Sequence, residues 1–183
     1  GEVTMSEKSN ITPEMKSHIG VASTPVESNM EANISEHRRF VHAIMDEDPI
    51  YHNEEFAKTT RYEGIVCPPL FPLSVNRRPL GSSDNLSEGF RKNPEFDALM
   101  SAVDGTGAKM DLSHIPRMLN GGNEIEFFKY MKIGEKTSSV TKVVDILEKE
   151  GRSGPMVFII SETEVRNNKG ELLLISRSTA IRR

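Results

Sequence analysis

The stretch DEDPIYHNEEFA, residues 46–57, follows an apolar helical stripe and brings acidic residues, a proline, a tyrosine and a histidine close together. Pro49 removes a backbone donor and pushes the residue before it out of the helical region, so the stretch predicts a turn between two helices. A carboxylate and an imidazole in one turn are able to transfer protons. The same side chains also serve as turn formers and helix caps. The function of the chain depends on which of these roles they have.

Helices are predicted on both sides of the turn. Upstream, Asn33 is placed to cap a helix and Glu36 to complete a capping box, and Pro49 is expected to end that helix. Its apolar face would consist of His37, Phe40, Val41, Ile44 and Met45. Downstream, Asn53 is expected to cap a second helix that Gly64 terminates.

A proline-rich apolar segment, residues 65–79, follows these helices and predicts a buried turn leading into a short helix around 70–76. Residues 78–113 carry no strand signal, although residues 96–103 fit a helix with one apolar side. A stretch of this length without strands predicts a functional loop, a lid or an insertion.

The last seventy residues have the character of an antiparallel sheet. Strands are predicted over 123–131, 154–168 and 171–183, with a turn at Gly134 and a tight turn, NNKG, between the last two strands. The stretch 135–150 is ambiguous, because its first half is β-branched and alternating whereas its second half has helical composition. Helices followed by long antiparallel strands predict an α+β fold.

Length and composition narrow the possible functions. The 183 residues suit one domain over 19–183 with a loose N-terminal segment over 1–18. At most one short strand is expected near 19–28, within the polar stretch from 1 to about 32. A net charge of -4 argues against nucleic acid as a partner, and no run approaches the ~20 apolar residues of a membrane helix. The single cysteine, Cys67, excludes an internal disulfide, predicts a cytoplasmic location and fits a small buried side chain. No metal site is expected from the spacing of the histidines.

The turn and the glycine-led segment GIVCPP, residues 64–69, resemble the MaoC-like dehydratases, the R-specific enoyl-CoA hydratase branch of the hot-dog fold. In that family the turn reads D-x-N-P-(I/L/V)-H with an alanine soon after, here Ala57, and the second segment reads G-x-I-x-H-G. The closing part, residues 127–173, is similar to the family's Gly-Asp turn and final strands. The resemblance covers about 20–183 and is strongest to amino-terminal or helper halves, in which N-P-I-Y often appears.

The resemblance implies one hot-dog domain, with a long antiparallel sheet wrapped around a central helix and an insertion or lid at about 78–113. It makes 135–150 a strand. The central helix would be either the segment 34–45 or the segment from Pro68 onward.

The family's reaction adds water to an enoyl thioester or removes it, and the implied site departs from the family pattern twice. Asp46 stands at the carboxylate position, but Tyr51 stands at the histidine position, and a neutral phenol is a poor base at pH 7. His52 is one residue further along, so its side chain points elsewhere. Pro69 stands where a glycine N–H would meet the developing oxyanion, and proline has no N–H. The site is therefore expected to be vestigial.

Three functions follow from the resemblance. The first is the substrate-binding or non-catalytic subunit of a two-chain enoyl-CoA hydratase. The second is a self-sufficient hydratase or 3-hydroxyacyl-CoA dehydratase of lipid metabolism that uses Asp46 with Tyr51 or His52. The third is an acyl-CoA-binding or thioesterase-like hot-dog module.

The implied ligand is an acyl-CoA or enoyl-CoA substrate, with no other cofactor, and the implied assembly is a homodimer or a heteromer with a second hot-dog subunit. Arg77 and Arg78 are candidates for the coenzyme A phosphates, although a solvated charge pair explains them equally well.

Overall fold

One antiparallel sheet dominates the computed structural model, which describes residues 9–76, 80–95 and 110–183. The sheet runs in the order β1 (Val26–Glu27), β3 (Thr137–Gly151), β4 (Gly154–Asn167), β5 (Leu172–Arg182) and β2 (Met118–Phe127). The described helices are α1 (Pro13–Ser17), α2 (Ile34–Ile44), α3 (Glu54–Thr59) and α4 (Asn85–Lys92), with 3₁₀ turns at Pro49–Tyr51 and Phe71–Ser74. The predicted α+β class is confirmed, and β1 lies within the short strand region expected near 19–28.

The predicted hairpin of β4 and β5 forms around Asn167. Its side-chain Oδ1 accepts hydrogen bonds from the backbone N–H groups of Lys169 and Glu171, both at 3.0 Å. Gly170 has a φ of 78°, a conformation that costs glycine little. The NNKG turn therefore works as its residue types predicted.

The ambiguous stretch is a strand from Thr137 onward, because β3 pairs with β4 from Thr137 to Gly151. In its second half Ile146 is buried, and the Lys149 Nζ lies 5.3 Å from the centre of the Phe158 ring across the ladder. Pairing and burial outweigh the helical preference of the Leu, Glu and Lys residues there.

Strand β2 begins five residues before the predicted start at 123 and ends at Phe127 rather than 131. Its early part contains a bulge between Asn120 and Gly122, which lets two glycines stay in a strand. At Gly121 an added Cβ would lie 2.9 Å from the Cγ2 of Thr179, so only glycine allows this close approach to β5.

Helix α2 begins as predicted, since the Asn33 Oδ1 accepts a hydrogen bond from the Glu36 N–H at 3.0 Å. It ends at Ile44 rather than at Pro49, because Met45 adopts a left-handed φ of 54°. The predicted apolar face is therefore wrong at its end: His37 and Val41 are buried, but Met45 is 85% exposed.

The second helix begins at its predicted cap, but its predicted end is wrong: α3 ends at Thr59, five residues before Gly64, because Thr60 adopts an extended backbone. Asn53 caps α3 by accepting a hydrogen bond from the Phe56 N–H, and the Gly64 N–H donates to the Ala57 carbonyl oxygen at 3.2 Å. The 3₁₀ turn at Phe71–Ser74 stands within the short helix expected around 70–76.

The N-terminal segment is a correction to the expected loose stretch over 1–18, at least for residues 9–18. The Asn10 N–H donates to the Glu148 side chain at 2.9 Å, and Met15 of α1 is fully buried against Val143 and Val157. Burial of Met15, with Ile11 packed on the same cluster, therefore docks a short helix whose composition is mostly polar.

The two segments proposed for the central helix pack against each other instead of forming one long helix. The Phe40 ring of α2 meets the Phe71 ring edge to face at 5.4 Å between centroids. Phe71 and Val75 then join Leu173, at the start of β5, in one core cluster.

The region 78–113 contains α4, capped by Asp84, which the sequence pattern did not predict. The helix expected at 96–103 lies outside the described residues. No helix in the described ranges is long and apolar enough to cross a membrane.

Candidate active site

The two carboxylates of the D-x-D-P turn organise the turn itself. The Asp46 Oδ1 accepts from the Asp48 N–H, and the Asp48 Oδ1 accepts from the Ile50 N–H, each at 3.0 Å. Asp48 thereby caps the 3₁₀ turn that Pro49 begins. Both side chains are exposed, so they remain open to a partner or a substrate.

Tyr51, at the position of the family's histidine, points into the protein. It is 5% exposed, and its ring lies 6.4 Å from that of Tyr130 in an edge-to-face arrangement. Burial raises the pKa of its phenol well above the ordinary value, and interaction with the neighbouring Tyr130 phenol and the charges of Asp46 and Asp48 raise it further. The hydroxyl is therefore protonated at neutral pH and is suited to donating a hydrogen bond.

A different imidazole, His37, supports the turn from beneath. It is 2% exposed, and its Nε2 donates to the Tyr51 carbonyl oxygen at 2.7 Å. Its Nδ1 is buried without a hydrogen-bond partner among the described residues. The sequence pattern assigned His37 only to a helix face, because nothing in it links position 37 to the backbone of position 51.

His52 is exposed, and its Nε2 donates to the Glu47 carbonyl oxygen at 3.1 Å. Among the described residues it makes no hydrogen bond or ion pair with Asp46. The His52 ring is therefore hydrogen-bonded to the backbone of the turn and not to the Asp46 carboxylate.

An open groove of about 690 Å³ lies next to the buried face of Tyr51. Its apolar wall consists of Tyr62, Val66, Pro69, Phe127, Phe128 and Tyr130. The Tyr62 and Tyr130 rings meet edge to face at 5.0 Å, and Tyr51 packs behind Tyr130. Pro69 therefore lies in the same groove as Tyr62 and Tyr130, against which Tyr51 packs. The sequence analysis did not identify Tyr62 or Tyr130 as site residues. The available signal for Tyr130 was the aromatic-rich segment FFKY, residues 127–130, within the predicted strand.

Charged side chains form the other wall of the groove, and they compensate one another. Glu135, which is 7% exposed, accepts from the Lys132 N–H and from the Asn167 side chain. Asn167 also donates to Glu171, whose pKa is lowered chiefly by its hydrogen bond with Lys129. The groove therefore joins an aromatic wall to an ordered polar one.

Cys67 is fully buried, and burial raises the pKa of its thiol to about 12, with the charge of Glu135 adding to the effect. This agrees with the interpretation of Cys67 as a buried apolar side chain. Arg77 and Arg78, the candidates for coenzyme A phosphates, lie outside the described residues. Within the described ranges, no group of three or more His, Cys, Asp or Glu side chains is arranged to hold a metal ion.

Known proteins resemble the chain in sequence and in fold. A UPF0336 protein of Saccharopolyspora erythraea is 23% identical over 146 residues, which are 80% of this chain and 77% of that protein. The ChsH1-ChsH2 complex from Mycobacterium tuberculosis matches with a TM-score of 0.65 at 21% identity over 87% of this chain and 83% of the matched one. The R-hydratase PhaJ1 from Pseudomonas aeruginosa matches with a TM-score of 0.54 at 13% identity over 88% and 79%.

The family model for the FAS1-like dehydratase domain region matches residues 17–175. Both the structural matches and the sheet order agree with the expected hot-dog fold. The chain therefore belongs to the FAS1-like dehydratase-region family and has the hot-dog fold of the MaoC-like dehydratases.

Proposed function

We propose that this chain is the substrate-binding, non-catalytic subunit of a two-chain enoyl-thioester hydratase or dehydratase. The observation that carries the proposal is Tyr51, a buried phenol at the position where the family resemblance calls for a histidine. Because burial raises its pKa, this hydroxyl does not take a proton from water at neutral pH. A partner subunit would then supply the histidine and the carboxylate that activate water.

Pro69 supports the same proposal from the other side of the reaction. It lines the groove at the position that the resemblance assigns to the oxyanion donor, and it has no N–H to donate. Loss of one oxyanion donor costs an acyl-transfer enzyme about 10²–10³ in rate. The reaction needs both a base and an oxyanion donor, and the chain differs from the family at both positions. Each difference independently favours a binding role over a catalytic one.

The groove supports binding of an acyl thioester. Its volume of about 690 Å³ lies within the usual range for small-molecule sites, and its aromatic wall suits an acyl chain. An acyl-CoA or enoyl-CoA is the proposed ligand. Arg77 and Arg78 stay candidates for the phosphates, and Asp46 and His52 stay candidates for the alternative in which the chain acts alone.

The edge of the sheet supports a second subunit. Among the described residues β2 pairs only with β5, so its other side is open, and Met118, Leu119 and Phe127 on it are at least 40% exposed. An exposed strand edge is a template for pairing with another strand. The structurally similar ChsH1-ChsH2 protein is itself a complex. A second copy would carry the same Tyr51 and Pro69, so the proposed catalytic partner is another hot-dog chain.

The proposal is tested by measuring hydration of crotonyl-CoA and longer enoyl-CoAs by the purified chain, alone and with a hot-dog chain that carries an intact D-x-N-P-x-H turn. We expect no hydration by the chain alone and hydration by the pair. Tyr51→Phe and Asp46→Asn in this chain should leave the kcat of the pair unchanged.

Hydration by the chain alone that Tyr51→Phe or Asp46→Asn abolishes would refute the proposal and establish a self-sufficient enzyme. In that case His52→Ala separates the two possible bases, because the exposed His52 makes its described side-chain bond to backbone only. Thioester hydrolysis without hydration would instead identify a thioesterase-like module.

A further inference from the structure

One row of directly paired residues near the β3–β4 turn is apolar across all four long strands. It consists of Leu147 of β3, Phe158 of β4, Ile181 of β5 and Leu119 of β2. Residues directly opposite in a ladder share a face, so the four side chains form a single apolar row. Leu147 and Leu119, at its two ends, are 38% and 50% exposed. The core that holds Met15 of α1 uses Val157 and Ile159 and therefore lies on the other face.

Cationic side chains border the apolar row at the end of the sheet. Arg117 and Arg183 are directly opposite each other, because the backbone N–H of each donates to the carbonyl oxygen of the other, at 3.0 and 3.1 Å. Each lies two residues beyond a member of the apolar row, as does Lys149, so all three share its face. The Arg183 Nη1 donates to the Ser153 Oγ at 2.8 Å, which places Arg183 against the β3–β4 turn that contains Arg152. The cationic rim therefore consists of Lys149, Arg152, Arg183 and Arg117.

The cationic rim lacks anionic partners. Its four residues are exposed, and none makes an ion pair with a described residue. Like charges directly opposite in a ladder oppose pairing, so Arg117 and Arg183 destabilise this corner unless an anion lies between them. On the other face Arg182 is 3% exposed, and its side chain donates to the Pro116 carbonyl oxygen at 3.2 Å, while its Nε and Nη2 have no partner in the described ranges. Positive charge is therefore concentrated here in a chain whose net charge is -4.

The dimensions of the apolar row fit a helix. Neighbouring strands are about 4.8 Å apart, so the row extends about 14 Å across four strands. About ten residues of α-helix cover that length. Side chains three or four positions apart on a helix are about 5–6 Å apart, close to the strand spacing, so the apolar side of a helix matches the row one side chain at a time. One flank of such a helix then lies over the cationic rim.

Carboxylates on the other side of the apolar row limit what binds there. Glu162 stands four residues from Phe158 along β4, which is about 13 Å, and Glu124 shares that face because both are opposite Arg177. An anionic membrane surface that touched the apolar row would also meet these carboxylates, whereas a helix about 10–12 Å across need not.

A second copy of this chain is not suited to the surface either. The described helices of eight residues or more are α2 and α4, and each contains one glutamate and two arginine or lysine residues. In the described part of the chain, neither therefore offers the acidic flank that the cationic rim calls for.

We propose that this end of the sheet docks a short amphipathic helix of another protein. The helix lays its apolar side on the apolar row and directs Asp or Glu from one flank at the cationic rim. Its other flank, which faces Glu162 and Glu124, is neutral or basic. The inference goes beyond the proposed function, because it concerns a face of the sheet that contains none of the candidate site residues. Charge complementarity of this kind mainly sets which partner is accepted and how it is oriented.

The test uses the full chain and, as the probe, a fluorescein-labelled synthetic helical peptide of about 14 residues. Leucines three and four positions apart form its apolar side, glutamates occupy one flank and alanines the other. One control peptide carries lysines in place of the glutamates, and another has the composition of the probe in scrambled order. Fluorescence anisotropy at about 0.1 M salt gives the dissociation constants. We expect the wild-type chain to bind the probe and neither control peptide.

Reversing the charge of the rim should reverse its choice of peptide. Arg117→Glu/Arg183→Glu should weaken binding of the probe at least about tenfold and allow the lysine peptide to bind. The matched control Arg38→Glu/Arg39→Glu changes the net charge equally at exposed positions of α2 and should leave both results unchanged. Unfolding of the variant would not produce selective binding of the lysine peptide, so this gain separates a rim contact from a loss of fold.

The apolar row is tested separately by Leu119→Gln. This substitution replaces a 50% exposed member of the row and should weaken binding of the probe about tenfold. Leu73→Gln, at a 44% exposed position in the 3₁₀ turn, should leave binding unchanged.

The inference is overturned if the wild-type chain does not bind the probe, or if Arg117→Glu/Arg183→Glu binds it as tightly as the wild type. Equal binding of the scrambled peptide also overturns it, since charge alone would then explain the contact. Vesicles that contain phosphatidylglycerol are the last comparison. If they bind the wild type and Leu119→Gln prevents this, the surface binds a lipid membrane instead of a helix. None of these readouts depends on hydration, so the docking proposal and the non-catalytic proposal can fail separately.

Discussion

At the scale of single residues, two ionisable side chains are shifted in opposite directions for different reasons. Tyr51 has a raised pKa chiefly because it is removed from water, which favours its neutral form. Glu162 has a lowered pKa because Lys142 and Arg177 bind its ionised form. The first keeps a hydroxyl from acting as a base, and the second makes a carboxylate part of the fold.

Glu162 should make the free energy of unfolding depend on pH in acid. Its folded pKa lies below the ordinary 4.5, so its contribution is complete above pH 4.5 and is lost as the pH falls through the folded pKa. We expect Glu162→Gln to lower stability at pH 7 by on the order of 1 kcal/mol and to flatten the acid limb. Urea unfolding across pH 3–7 measures both.

Glu164→Gln is the matched control on the same strand. Glu164 pairs with Arg166 at an exposed position, so its removal should leave the acid limb as steep as in the wild type. Equal slopes for the wild type and Glu162→Gln would contradict the role given to Glu162.

At the scale of elements, α1 is the least expected part of the fold, because a five-residue polar helix has little helical stability of its own. Its Thr12 cap and the burial of Met15 fix it on the sheet. The helix is therefore held by tertiary packing.

Met15→Ala should lower the free energy of unfolding by about 2–5 kcal/mol, the usual cost of deleting a buried methionine side chain. Met45→Ala, which removes the same side chain at an 85% exposed position, should cost close to nothing. Urea unfolding at neutral pH compares the two. If both substitutions cost the same, α1 is not docked as described.

Elements that depend on short-range chemistry could be predicted from the sequence, whereas their exact limits could not. Asn33 and Asn53 cap helices because their side chains bond three residues ahead. The end of α2 at Ile44 depends on the left-handed backbone of Met45, which methionine rarely adopts and no local signal marks. The early start of β2 depends on Gly121 fitting against Thr179, 58 positions away.

At the scale of the whole molecule, the fold followed from family resemblance and the candidate site only in part. Tyr51 and Pro69 could be identified from the sequence, because each stands at a motif position where the family has a different residue type. The ring contact of Tyr51 with Tyr130 and the hydrogen bond from His37 to the Tyr51 backbone join distant segments, so they could not be predicted. The groove likewise depends on how β2 meets the proline-rich segment.

Cys67 should report global unfolding, because its thiol is fully buried and has a pKa of about 12. We expect an aromatic disulfide reagent to modify it about 10³-fold or more slowly in the native state than in urea. A thiol introduced by Ser35→Cys, at an exposed position of α2, should react at once. Comparable native rates at the two thiols would show that the core opens locally around Cys67.

Tyr51, Tyr62 and Tyr130 are all the tyrosines that the chain contains, and it has no tryptophan. The rings of Tyr51 and Tyr62 each meet that of Tyr130 edge to face, and Tyr62 and Tyr130 line the groove. The tyrosine bands in near-ultraviolet circular dichroism and in intrinsic fluorescence therefore originate from this cluster of rings at the groove. The protein carries a built-in optical reporter there, which should respond when a ligand enters the groove even if the distant hairpins keep their shape.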